Sequence, residues 1–97
     1  MNRQAVLDRL TSEMENIRRR FGVKDLALFG SMARNEATEQ SDLDLLVTFD
    51  GRPDFDRFMD LKFHLEDLFG RPIDLVTPNA LRNELRGRIE HEAIHVP

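Results

Sequence analysis

Two aspartates one residue apart, Asp42 and Asp44, open the run DLDLLVTF at residues 42–49. Side chains two apart on a strand point the same way, so this run sets two carboxylates on one face. The alternate positions, Leu43, Leu45, Val47 and Phe49, make the other face wholly apolar. A third carboxylate, Asp74, interrupts a second short apolar run, IDLV at residues 73–76. Should the two runs be neighbouring strands, three carboxylates converge at one end of a sheet. Like charges packed together in a partly dry site either protonate or take up cations. Hard divalent cations prefer oxygen ligands, and Mg²⁺ is often held by one or two carboxylates plus substrate phosphates. Two such ions can clamp the attacking and leaving oxygens of a phosphoryl transfer.

The dipeptide Gly30-Ser31 lies ten residues before Asp42. Glycine allows the backbone to approach a phosphate closely, and a helix N-terminus attracts anions through its free N–H groups. The Ser31 hydroxyl can add a hydrogen bond, and Arg34, one turn further on, can reach the same anion. A second string, HEAIH at residues 91–95, matches the H-E-x-x-H zinc pattern with His91, Glu92 and His95. That chemistry needs one continuous helix and a third ligand. Residues 93–96 read as an edge strand, so the two histidines are assigned to the surface. His64 has no ligand at useful spacing and is assigned a structural role.

The elements that must position these residues alternate between helix and strand. Val6, Leu10, Met14, Ile17 and Phe21 recur at helical spacing over about 3–21, with Gly22 as a stop. The arginines at 18–20 suit the negative end of that helix's dipole. DLALF at 25–29 reads as a buried strand, with a short helix from Met32 to about Glu36 capped by Ser31. Asp54 caps a helix over about 55–69, whose core stripe is Phe58, Leu61, Leu65 and Leu68. After the 73–76 strand, Thr77-Pro78 opens a last helix with Leu81, Leu85 and Ile89 as its buried ridge. Ala93 to Val96 forms a short final strand. The expected fold is a small α/β (α+β) structure, a mixed sheet flanked by helices.

Bulk properties narrow the function classes. The 97 residues read as one domain, 40% hydrophobic and 33% charged, as in a soluble globular protein. With no cysteine, disulfides and thiolate metal sites are excluded. No apolar run approaches the roughly 20 residues needed to cross a bilayer. The N-terminal stretch MNRQAVLDRL is amphipathic and lacks the apolar core of a secretory signal, so a cytoplasmic location is the default expectation. A net charge of −4 argues against general nucleic-acid binding.

Gly30-Ser31, ten residues, Asp42-Leu43-Asp44 and then Asp74 on a later strand resemble the signature of the DNA polymerase β-like nucleotidyltransferase superfamily. The string LFGSMARNEATEQSDLDLLV resembles its small stand-alone members, the minimal nucleotidyltransferases or MntA-like antitoxins. The resemblance spans nearly the whole chain. It implies that Asp42 and Asp44 bind two Mg²⁺ ions and that Asp74 contacts the metal and helps deprotonate the attacking hydroxyl. It implies that Gly30 and Ser31, with Arg34, hold the phosphates of a nucleoside triphosphate, ATP by family habit. The acceptor implied is a tyrosine of a partner HEPN-domain toxin, which the chain would neutralise by adenylylation in a type VII toxin–antitoxin system, as part of a hetero-oligomer. Two alternatives stand beside it: a non-catalytic module that neutralises its partner by contact, and transfer to a small-molecule alcohol.

Overall fold

The first helix shows how local sequence sets the frame. In the computed structural model, which describes residues 1–97, helix α1 (Arg3–Phe21) begins where the Asn2 side chain accepts a hydrogen bond from the Ala5 N–H at 2.8 Å. It ends where Gly22 turns into the left-handed region at φ 67°, with its N–H donating to the Arg18 carbonyl. Val6, Leu10, Met14, Ile17 and Phe21 are the buried stripe, as their spacing predicts.

Strand β1 (Val23–Phe29) follows, then a single helical turn α2 (Gly30–Ala33), strand β2 (Leu43–Phe49), helix α3 (Phe55–Phe69) and strand β3 (Ile73–Val76). A 3₁₀ turn (Pro78–Ala80), helix α4 (Asn83–Glu92) and strand β4 (Ile94–His95) complete the chain. The strands form one sheet in the order β3-β2-β1-β4. β1 runs antiparallel to β2 and β4, and β2 runs parallel to β3. Parallel neighbours need a crossover, and α3 supplies it.

The sheet has two unequal faces. Leu26, Leu28, Leu43, Leu45, Val47, Phe49, Ile73 and Leu75 join α1 and α3 in a core of 20 buried residues. The opposite face carries Ala27, Phe29 and Leu46, a patch covered only in part by Val76, Leu81, Ile89 and Ala93. Alternation along each strand therefore places Asp44 and Asp74 on the thinly covered side. No helix is long and apolar enough to cross a membrane.

Several expectations are corrected. β1 starts at Val23, two residues before DLALF, and β2 starts at Leu43, so Asp42 immediately precedes its strand. α2 begins at Gly30 with Phe29 at its N-cap and no side-chain cap, so Ser31 lies inside the turn and does not cap it. Thr77-Pro78 opens the 3₁₀ turn, and α4 starts afresh after Arg82. That break puts Leu81 out of phase with the helix. α4 accordingly has no fully buried residue, Leu81 and Ile89 are half-buried, and Leu85 is 42% exposed. In α3 the buried residues are Leu61, Leu65 and Phe69, with Phe58 and Leu68 at the margin.

These two packing environments differ measurably. Leu65→Ala, at 0% exposure, is expected to lower unfolding free energy by about 2–5 kcal/mol. Leu85→Ala should change it by less than about 0.5 kcal/mol. Urea denaturation of both variants is the check, and equal losses would contradict the unequal faces.

Candidate active site

Register decides what the carboxylates can do. β2 and β3 pair in parallel with Asp44 directly opposite Asp74, between Leu43↔Ile73 and Leu45↔Leu75. The alignment is anchored at its start, where the Leu43 N–H donates to the Pro72 carbonyl at 3.2 Å. Directly opposed side chains of neighbouring strands meet on one face. On the other side of β2, Asp44 pairs with Phe29, the residue before Gly30. Asp44 thus sits between Asp74 and the Gly30-Ser31 turn, half-buried, while Asp42 and Asp74 are exposed.

Gly30 is fixed by two constraints. Its φ is +73°, a conformation L side chains rarely adopt. A Cβ built on it would overlap Asp44 Oδ2 and stand 2.8 Å from Asp44 Cγ, so any side chain would displace the carboxylate.

The Asp44 carboxyl is pushed up from 3.8 to about 6. Burial is the main cause, the charge of Asp74 and a hydrogen bond with it come next, and Asp42 adds a smaller repulsion through charge alone. The nearby Arg34 charge opposes them weakly. No three His, Asp or Glu side chains stand as a ready-formed metal cage. The donors nevertheless fit a hard divalent cation. All are carboxylate oxygens, and a bound positive charge would oppose both the desolvation and the repulsion that raise Asp44.

Arg34, the residue after α2, does not extend freely into solvent. Its Nε donates to Glu36 Oε1 at 2.8 Å and its Nη1 to Glu92 Oε2 at 2.8 Å. The bond to Glu92, then that to Glu36, holds the guanidinium even more firmly protonated than usual. Sequence reading missed both glutamates as parts of this site. Glu36 stands two residues away, but Glu92 lies 58 residues on, and no local pattern links it to Arg34. The start of α1 also reaches this region, where Arg3 Nη1 donates to the Ala33 carbonyl at 3.0 Å.

The histidines fall elsewhere. α4 ends at Glu92, so His91 and His95 do not share a helix, and His95 Nδ1 lies 2.8 Å from Asp25 Oδ2. His64 packs against the Phe21 ring, with Nε2 3.4 Å from Glu13 Oε1. The largest cavity, about 620 Å³, lies between the end of α1 and α3, and a second of about 420 Å³ lies beside Thr48 and Thr77. None of the three aspartates lines either one. Proximity of carboxylates to the Gly30 turn is the better guide to chemistry than concavity, because the aspartates occupy an open sheet face.

Comparison with known proteins agrees with this geometry. The family model for the nucleotidyltransferase domain matches residues 12–96. The chain belongs to the nucleotidyltransferase family. The protein adenylyltransferase MntA of Thermococcus cleftensis is 38% identical over 87 residues, covering 90% of this chain and 88% of MntA. A solved structure provisionally assigned as a minimal nucleotidyltransferase superposes with a TM-score of 0.82 at 36% identity, covering 97% of this chain and 95% of its own. At 16% identity, the fold is shared with the structure of a tri-AMPylated Shewanella oneidensis HEPN toxin in complex with its MNT antitoxin, with a TM-score of 0.66 over 94% of this chain and 71% of that one. The mixed four-stranded sheet with flanking helices is the minimal nucleotidyltransferase fold, and the chain is an enzyme of the nucleotidyltransferase class, with relatives named as protein adenylyltransferases.

Two predictions test the site of this nucleotidyltransferase. Asp44 holds its proton more tightly folded than unfolded, so its contribution to stability is present below about pH 4 and is lost as pH rises toward 6. In EDTA, Asp44→Asn is therefore expected to gain melting temperature over the parent as pH rises from 4 to 6, with the difference flat above about pH 7. A difference independent of pH would contradict the raised value. Gly30→Ala is expected to destabilise by at least about 1–2 kcal/mol, from the backbone cost alone. Thermal melts of Gly30→Ala and the control Gly87→Ala, where an added Cβ meets nothing within 4 Å, separate a local requirement from a general one.

Proposed function

We propose that the protein transfers AMP from ATP to a hydroxyl, that of a tyrosine, on a partner HEPN-domain toxin, and that it serves in this way as the antitoxin of a type VII toxin–antitoxin pair. The observation that carries the catalytic half is the in-register pair Asp44 and Asp74 beside Gly30. The names of its relatives support the rest. MntA is a protein adenylyltransferase, and the fold neighbour holds an AMPylated HEPN toxin.

In this reading the Gly30-Ser31 turn accommodates the β- and γ-phosphates through its backbone N–H groups and the Ser31 hydroxyl, and the absence of a side chain on Gly30 keeps the Asp44 carboxylate close beside them. Arg34 supplies further N–H donors to the same phosphates. Asp42, Asp44 and Asp74 would hold Mg²⁺, which when bound neutralises the phosphates and makes the α-phosphorus more electrophilic. Asp74, exposed at the edge strand β3, is the carboxylate an incoming protein can reach, and it accepts the proton of the attacking hydroxyl. The hydroxyl oxygen bonds to the α-phosphorus, the bond from that phosphorus to the bridging oxygen breaks, and pyrophosphate leaves. Much of the acceleration comes from holding these groups in line. A tyrosine carrying AMP gains bulk and negative charge, which disfavours binding of another polyanion, RNA, beside it.

The test is transfer of labelled AMP from ATP with Mg²⁺ to the co-expressed HEPN partner, followed by mass spectrometry of its tyrosines. Asp42→Asn with Asp44→Asn is expected to cut transfer by at least about a hundredfold and to abolish neutralisation. Lost transfer with intact neutralisation would show that contact alone neutralises. Transfer to a small alcohol without any protein acceptor would redirect the proposal to small molecules.

A further inference from the structure

Arg34 follows the turn that begins at Gly30 against Asp44, its charge reaches that carboxylate, and by default such a side chain would fold onto it. Two other carboxylates hold it instead. Glu36, just beyond α2, takes its Nε, and Glu92, the last residue of α4, takes its Nη1. Glu92 is the better buried of the two, with its side chain 17% exposed against 61% for Glu36. A guanidinium has five N–H donors in a rigid fork. Two are used here, which leaves three without a protein partner.

We infer that Glu92 is a positioning residue for this site: with Glu36 it holds the Arg34 fork off the aspartates and turns its remaining donors toward the triphosphate. The inference rests on the reading that Arg34 binds phosphate. It makes the C-terminal helix part of the nucleotide site, although α4 contributes no aspartate and no fully buried residue. It also gives the Glu92 carboxylate a task that hydrophobic packing of α4 does not require. If Glu92 is lost, Glu36 alone holds the guanidinium, and a less constrained Arg34 could turn toward Asp44 and compete with a divalent cation for its oxygens. Arginine suits this arrangement because its planar fork serves a carboxylate and a phosphate in one orientation, which a lysine cannot do.

The experiment measures binding of a non-hydrolysable ATP analogue with Mg²⁺ to the full chain by calorimetry, beside the melting temperature of each variant. Glu92→Gln keeps the side chain's shape and removes its charge. It is expected to weaken analogue binding roughly tenfold, the size of one charged hydrogen bond. Glu92→Ala should weaken it at least as much, and Glu92→Gln decides the matter where the alanine variant does not fold. The exchange Arg34→Glu with Glu92→Arg restores the link between α2 and α4 in reverse. It should recover the melting temperature lost in Arg34→Glu alone without recovering affinity. Recovery of affinity by the exchange, which leaves no arginine at position 34, overturns phosphate binding by Arg34 and the role of Glu92 with it, whereas parental affinity in Glu92→Gln while Arg34→Ala binds poorly overturns the role of Glu92 alone. Parental affinity in Arg34→Ala overturns phosphate binding by Arg34 itself.

Discussion

The parallel pairing of β2 with β3 is the constraint on which the site depends. It sets Asp44 opposite Asp74, and nothing else in the chain brings residues 30 apart in sequence into that relation. The pairing is unfavourable at the aspartates, since burial and mutual repulsion push Asp44 up to about 6. It persists because the flanking pairs, Leu43↔Ile73 and Leu45↔Leu75, are buried on the opposite face and belong to the main core. A slip of one residue would expose those leucines and bury the carboxylates, so hydrophobic alternation enforces an electrostatically strained register. A cation that relieves the repulsion would thereby gain binding energy already stored in the fold.

The rest of the structure divides between the two faces of the sheet. One carries nearly all the hydrophobic core, through α1 and α3. The other carries Asp44 and Asp74 and only a small apolar patch. α2 is one turn long and has no side-chain cap, and two polar ties hold its C-terminal end. Arg3 from α1 bonds the Ala33 carbonyl, and the Arg34–Glu92 pair reaches α4. These polar ties add to the burial of Gly30, Met32 and Ala33 in fixing a turn whose first residue, Gly30, lies against Asp44.

How much of this was legible follows from how local each signal is. α1 and α3 carry local signals of their own, helical periodicity in both, a glycine stop after α1 and a capping aspartate before α3, so Gly22 and Asp54 mark boundaries that the structure reproduces within a residue. Asp42, Asp44, Asp74, Gly30 and Ser31 could be singled out because a carboxylate in an apolar strand and a glycine after one are locally anomalous. α4 was misplaced because Thr77-Pro78 is a good helix start in isolation, and only the 3₁₀ turn and the extended Leu81–Arg82 link show that the helix begins later. Glu92 was read as part of a zinc string and not as the partner of Arg34. Its contact exists only after β4 has folded back against β1 and set the end of α4 beside α2. Long-range polar pairs of this kind leave no periodic trace in the sequence.

The openness of the aspartate face bears on what the enzyme can accept. A small alcohol would need a pocket to bury it, because most of a small ligand's affinity comes from enclosure. Neither cavity of the protein contains an aspartate of the site, and Asp42 and Asp74 are exposed. A tyrosine on a protein surface needs no such pocket, since the surrounding interface supplies affinity and orientation while the ring projects its hydroxyl toward Asp74. The same exposure leaves the site wet until that surface arrives, and a wet site weakens every electrostatic interaction within it. On the proposed function, a protein acceptor would complete the site as well as serve as substrate: by excluding water it would strengthen the hold of the aspartates and Arg34 on the reacting groups as the hydroxyl is presented.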